Sequence, residues 1–324
     1  MRPARGSGPS PSQSSRVVTP AVPLAAILVA CTTALGLAPS RVAATTPDPL
    51  CGSGPLEILL TNDDGYEALG IRALADALAQ SGHRVTLAAP ARNASGSGMS
   101  FTWGNVRVRR DPQDATVFSI DGSPATTVVL AATALYPPGR RPDLVISGIN
   151  HGPNAGSLLM LSGTVGAALA GTLLLDPPVP GVAVNAPRLR DAEPVDSPAN
   201  RAQYEAVGAH LARMVDATRN WFCDRGAVVR ARTVLNVNYP TVPVPELRGI
   251  RVARQGATAD LRVTFSAVAD GEYRAQTQRV DATDQRDTDI AWLQQGYVTV
   301  TPVSGTILDA TVPTAPLQRR LRGL

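Results

Sequence analysis

The chain has 324 residues, 44% hydrophobic and 17% charged, so it has the means to bury a core as one large domain or two small ones and is not a disordered polymer. Aromatics are only 4% while Gly and Pro number 28 each, which points to Ala/Val/Leu packing broken by many turns. The net charge of +4 sits in the first 44 residues, where Arg2, Arg5, Arg16 and Arg41 meet no acid; the other 26 of the 30 basic residues, all Arg, balance 26 acids, which excludes the cation surplus of a nucleic-acid stripe.

The opening stretch reads as an export signal. Residues 1–20 are rich in Arg, Ser and Pro; Ala21 to Leu37 is almost wholly apolar; Val42 and Ala44 offer small residues for cleavage. A signal peptide over 1–44 is expected, with a linker over 45–55. Leu28-Val29-Ala30-Cys31 also has the pattern of a lipoprotein signal with Cys31 acylated, and an uncleaved anchor is a third possibility. Each version exports the domain. Only Cys51 and Cys223 remain beyond the leader, and an exported pair suggests a disulfide, with two unpaired buried thiols as the alternative.

From Leu56 the pattern alternates. Strands are expected at Leu56–Thr61, Arg84–Ala89, Leu144–Ser147, Val179–Val184 and Thr233–Asn238. Helices are expected at Leu69–Leu78, from Ser123 (N-cap) and Pro124 to Leu135, at Gly163–Leu174 and at Pro198–Asn220. That rhythm predicts an α/β fold: a Rossmann-like, mostly parallel sheet with helices on both faces over residues 56–245. Residues 246–324 read as a smaller β-rich part, with Arg-flanked segments suited to an extended hairpin.

Open parallel sheets bind ligands at the carboxyl ends of their strands, and three polar clusters fall there. Thr61-Asn62-Asp63-Asp64-Gly65 closes the first strand; two adjacent carboxylates are costly to bury alone, and a hard divalent cation is the simplest remedy. Arg92-Asn93-Ala94-Ser95-Gly96-Ser97-Gly98 follows the second, a short-hydroxyl loop lacking the third glycine of a dinucleotide site. The third is Ser147 to Asn154, then Ser162-Gly163-Thr164 opening a helix whose free N–H groups suit an anion, while Asn150 offers a neutral oxygen. Of three His, only His151 lies at this end; no G-x-S-x-G turn is present, and no Cys/His spacing suits zinc.

In this order the clusters resemble the SurE survival-protein family of 5′/3′-nucleotidases. The resemblance is carried by Ile58 to Gly65, Arg92-Asn93 with Ser95-Gly96, Asp121 to Pro124, Pro142 to Asn150, Gly152-Pro153-Asn154, Ser162 to Val165, and Gly296 to Pro302. It implies a metal-dependent phosphomonoesterase whose Mg²⁺ or Mn²⁺ is held by Asp63, Asp64, Ser95 and Asn150, with Asn154, Ser162, Gly163 and Thr164 on the phosphate side. It also implies a C-terminal oligomerisation part, hence a homodimer or homotetramer, and a small phosphate monoester, not a nucleic-acid polymer, as substrate. The chain departs from the family at Glu67-Ala68-Leu69-Gly70, at Ala91 and Ala94, and at Ser157-Leu158 and Leu161, positions that shape the substrate wall rather than the metal ligands. Two rivals stand beside this reading: an exported protein that binds a phosphorylated ligand without turning it over, and a metal-independent serine esterase.

Overall fold

A computed structural model describes residues 48–223, 232–259, 261–280 and 286–305. The expected leader, with Cys31 and the cleavage expected near Ala44, lies outside them. Nine strands form one sheet in the order β3-β4-β2-β1-β5-β6-β7-β11-β8. They are β1 (Glu57–Thr61), β2 (Arg84–Pro90), β3 (Val108–Arg110), β4 (Val117–Ile120), β5 (Leu144–His151), β6 (Gly181–Ala186), β7 (Thr233–Asn238), β8 (Ile250–Val252) and β11 (Val298–Ser304). The six from β4 to β7 run parallel; β3 is antiparallel to β4, and β11 to β7. A separate antiparallel pair is made by β9 (Leu261–Ala269) and β10 (Glu272–Arg279).

Burial on both faces explains why β1 reads as a continuous apolar run. Ile58 and Leu60 point to one face with Ile71 and Leu74 of α1 (Leu69–Gln80) and Tyr204 and Leu211 of α4 (Pro198–Cys223). Leu59 points to the other, with Val128 of α2 (Pro124–Leu130) and Ala167 of α3 (Gly163–Leu173). Each fully buried Leu here contributes roughly 1.5–3 kcal/mol, so truncating Leu59 or Leu60 removes a sizeable share of net stability. Ser123 caps α2 as expected, accepting from the Thr126 N–H, with Pro124 as first residue; the helix then widens into a π-turn over Ala131–Leu135 before Pro137 stops it.

Three features differ from the sequence reading. First, β5 runs on past Ser147 to His151, its register shifting between Ser147 and Asn150 so that Asn150 pairs with Asn185. Gly148 makes the shift possible: its φ is +136°, and a Cβ there would lie 2.3 Å from the Val184 carbonyl oxygen. Second, the C-terminal part is not β alone, for α5 (Asp289–Gln294) precedes β11, and β8 and β11 join the main sheet. Third, the expected linker is partly ordered: Pro49–Cys51 forms a 3-10 turn, and the buried Arg219 of α4 donates to the carbonyls of Pro49 (2.5 Å) and Gly54 (2.8 Å). Cys51 is disulfide-bonded; the side chain of Cys223 lies outside the described residues.

Candidate active site

From β1 the chain moves to β2 and β4 on one side, then returns to place β5 on the other. Strand order therefore reverses between β1 and β5, and a crevice outside their carboxyl ends is where such sheets take ligands. Asp63 and Asp64 leave β1 there, and Asn150 and His151 end β5. Asn62, fully buried, folds the turn by donating from its side chain to the Gly65 carbonyl and accepting from the Gly65 N–H (2.9 and 3.2 Å).

Both carboxylates are buried, Asp63 at 3% exposure and the Asp64 side chain at 4%. Burial pushes Asp63 up to about 6; the Thr164 hydroxyl donating to its Oδ1 at 2.5 Å opposes this, and the neighbouring Asp64 charge adds to it. Burial likewise pushes Asp64 up to about 6 against the His151 N–H, which donates to its Oδ2 at 3.3 Å. The His151 ring lies beside Asp64, with Nδ1 3.6 Å from Asp64 Oδ1, and its buried Nε2 has no hydrogen-bond partner among the described residues. Desolvation, then the Arg188 charge, holds the imidazole below its usual range, so it is neutral at pH 7.

The N-terminus of α3 closes the crevice. Ser162 Oγ accepts from the Val165 N–H at 3.1 Å, an N-cap that fixes the start of the helix. Gly163 packs so tightly on Asp63 that a Cβ would lie 2.7 Å from Asp63 Oδ2 and 2.6 Å from Ser97 Oγ. Asn150 donates from Nδ2 to the Gly152 carbonyl at 2.8 Å, which leaves its Oδ1 as an acceptor. Ser95 is exposed, its N–H held by Asn93. Gly163 and Thr164 are thus brought against Asp63, while Asp64 faces His151. Thr164 serves Asp63 rather than open space, because its hydroxyl has a closer negative partner than any incoming anion.

Asn154 is half-buried and surrounded by amides: its N–H, carbonyl and Nδ2 are engaged by Asn185, Asn236 and Asn238, all fully buried. Sequence reasoning missed these three, and also Ser97, whose buried Oγ has no hydrogen-bond partner among the described residues. A polar residue inside an otherwise apolar strand, as in Thr233–Asn238, was the available signal. A cleft of about 540 Å³ is lined by Tyr66, Glu67, Arg92 and Arg110 among others, but neither Asp63 nor Asp64 lines it. Ser162 is spent as a cap, and among the described residues no His hydrogen-bonds to it, so the geometry gives no support to a serine nucleophile.

A family model described as survival protein SurE matches residues 58–260. A 5′-nucleotidase SurE of Desulfitobacterium hafniense is 34% identical over 259 residues, covering 78% of this chain and 93% of its own length. A 5′/3′-nucleotidase SurE of Yersinia pseudotuberculosis is 33% identical over 268 residues, covering 80% and 93%. The crystal structure of the SurE protein from Aquifex aeolicus superimposes with a TM-score of 0.65 at 31% identity, over 82% of this chain and 99% of that one. The acid pair at the switch point, the capped helix over it and these matches lead to one statement: the chain belongs to the SurE family.

Proposed function

We propose that the protein hydrolyses phosphate monoesters, in particular nucleoside 5′- or 3′-monophosphates, with Mg²⁺ or Mn²⁺ held by Asp63, Asp64, Ser95 and Asn150. One observation carries the reading: two contiguous carboxylates are buried at the sheet's switch point, both pushed up to about 6, and among the described residues no Arg side chain is bonded to either. Burying such a pair at neutral pH is unfavourable unless a cation joins it. The donor set suits a hard divalent ion. Asp63 keeps Oδ2 free of the Thr164 bond, Asn150 keeps Oδ1, and all the atoms offered are oxygens. Among the described residues no three His, Cys, Asp or Glu side chains gather, so neutral oxygens complete the shell.

When bound, such a cation supplies neutralising charge at the phosphoryl group and acidifies water at neutral pH. The protein's own residues do the rest. The Ser162 cap fixes the positive end of α3 towards the crevice, and Gly163 lets that end approach without a side chain between. Asn154 donates to a phosphoryl oxygen from the opposite wall. The names of the relatives, 5′-nucleotidase and 5′/3′-nucleotidase, support the substrate class. The test is phosphate release from nucleoside monophosphates, abolished by EDTA and restored by Mn²⁺. Asp64→Asn should lower turnover by orders of magnitude; near-normal turnover in that variant, or binding of nucleotide without release, overturns the reading.

The same proposal extends to context. Export through the leader, a catalytic part over 56–245 and a homodimer or homotetramer built on the C-terminal part complete it. The disulfide at Cys51 is assigned to Cys223, since α4 ends there and Arg219, one turn earlier, already holds the Cys51 turn.

A further inference from the structure

We infer that Asn185, Asn236 and Asn238 are positioning residues that fix which atom of Asn154 meets the substrate; this rests on reading Asn154 as a phosphate-side donor. The polarity of the network is set by backbone groups, whose roles are not interchangeable. The Val237 carbonyl only accepts, so Asn185 turns its Nδ2 towards it (3.0 Å) and towards Asn236 Oδ1 (2.8 Å). Asn185 Oδ1 is then the atom left for Asn154, which must answer with Nδ2–H (2.7 Å). Independently, the Asn154 N–H donates to Asn238 Oδ1 (2.7 Å), while its carbonyl accepts from Asn236 Nδ2 (2.8 Å) and Asn238 Nδ2 (3.3 Å). Asn185, Asn236 and Asn238 are therefore each oriented by at least one main-chain partner and cannot flip without setting acceptor against acceptor, and the Asn154 amide takes its orientation from Asn185.

The consequence lies at the one half-buried member. With its main chain clamped from β7 and one amide hydrogen given to Asn185, Asn154 keeps its second Nδ2–H for an incoming ligand. A donor held in this way needs no reorganisation when phosphoryl charge develops. Asn185 and β7 are remote in sequence from Asn154, by 31 and 82–84 positions, so the arrangement exists only in the folded sheet.

The test uses the full chain loaded with Mn²⁺ and measures binding of inorganic phosphate by calorimetry, together with kcat and KM. Asn185→Asp is isosteric but sets acceptors against Val237 and Asn236. Phosphate affinity should fall about tenfold, the value of one oriented hydrogen bond, and kcat should fall with it. Mn²⁺ affinity without phosphate should stay within about twofold, because the network touches none of the proposed ligands' side chains. Asn154→Ala should show the same loss, and adding Asn185→Asp to it should cost less than about twofold more. Asn185→Ser, whose hydroxyl is able to donate, runs through the same cycle should the charged variant fail to fold. An unchanged phosphate affinity in Asn185→Asp, or a loss that persists undiminished in the Asn154→Ala background, overturns the inference. A wild type that binds phosphate but cleaves no monoester sinks the nucleotidase reading alone, since phosphate binding still reports on the network.

Discussion

At the scale of single residues, Asp63 and Asp64 are destabilising where they are most useful. Their folded pKa values, about 6, lie above the ordinary 3.8, so the folded state holds their protons more tightly than the unfolded chain does. Their contribution to stability is complete below pH 3.8 and is lost as pH rises through 6. For protein kept in EDTA, Asp64→Asn should raise the melting temperature at pH 8 by several degrees, corresponding to roughly 1–3 kcal/mol, with the gain fading towards zero at about pH 3.5, below the unfolded pKa of 3.8. With Mn²⁺ added, the order should invert at pH 8, because the wild type gains the ion's binding energy and the variant forfeits most of it. Thermal melts at the two pH values check both halves; a variant less stable than wild type in EDTA at pH 8 contradicts the buried-charge account. The acid pair was legible in sequence because its cost follows from adjacency alone. The amides around Asn154 were not: Asn236 and Asn238 stand out only as polar residues in an apolar strand, and because each of their bonds spans tens of residues no local pattern says what they hold.

At the scale of elements, α3 shows how packing overrides propensity. Ala is a better helix former than Gly by roughly 1 kcal/mol, so propensity alone makes Gly163→Ala stabilising. The space decides otherwise, for the added methyl would sit 2.7 Å from Asp63 Oδ2 and 2.8 Å from Asp63 Cβ, and the second of these atoms is tied directly to the Asp63 backbone. The variant should lose about 1–3 kcal/mol and at least tenfold in kcat/KM, with weakened Mn²⁺ affinity, since relief requires α3 to back away from the acid pair. Unchanged kinetics with raised stability would show that the helix start does not bear on the site. The elements themselves were readable where they were long or capped: β1, α1, β2, the Ser123 cap, α3 and β7 stand within a few residues of expectation. Those missed are short. β3 has three residues, β4 four and α5 six, and all are recruited by neighbours: β4 by parallel pairing with β2, α5 by its Thr288 cap and the buried Asp289, which accepts from the N–H groups of Gly156 and Gly256.

At the scale of the whole molecule, the β9–β10 ribbon is the part that the rest of the chain leaves unexplained. A lone two-stranded ribbon is marginal in water. Paired residues share a face, and the pairs Val263↔Thr277, Phe265↔Ala275 and Ala267↔Tyr273 put Val263, Phe265 and Tyr273 together, while Arg262↔Gln278, Thr264↔Gln276 and Ser266↔Arg274 make the other face polar. Phe265 is 68% and Tyr273 66% exposed, which is costly for an aromatic pair with only solvent to face. A second copy of the chain is the covering that the proposed homo-oligomer provides, and it also gives the ribbon a reason to stay folded. Phe265→Arg with Tyr273→Arg should therefore convert the protein to monomer in light scattering at micromolar concentration. It should also abolish any rise of melting temperature with protein concentration. Mn²⁺ affinity should hold, because the acid pair is built wholly from β1, β5 and α3 of one chain. If the double variant keeps the wild-type mass, the ribbon is not the interface, and its apolar face requires another occupant.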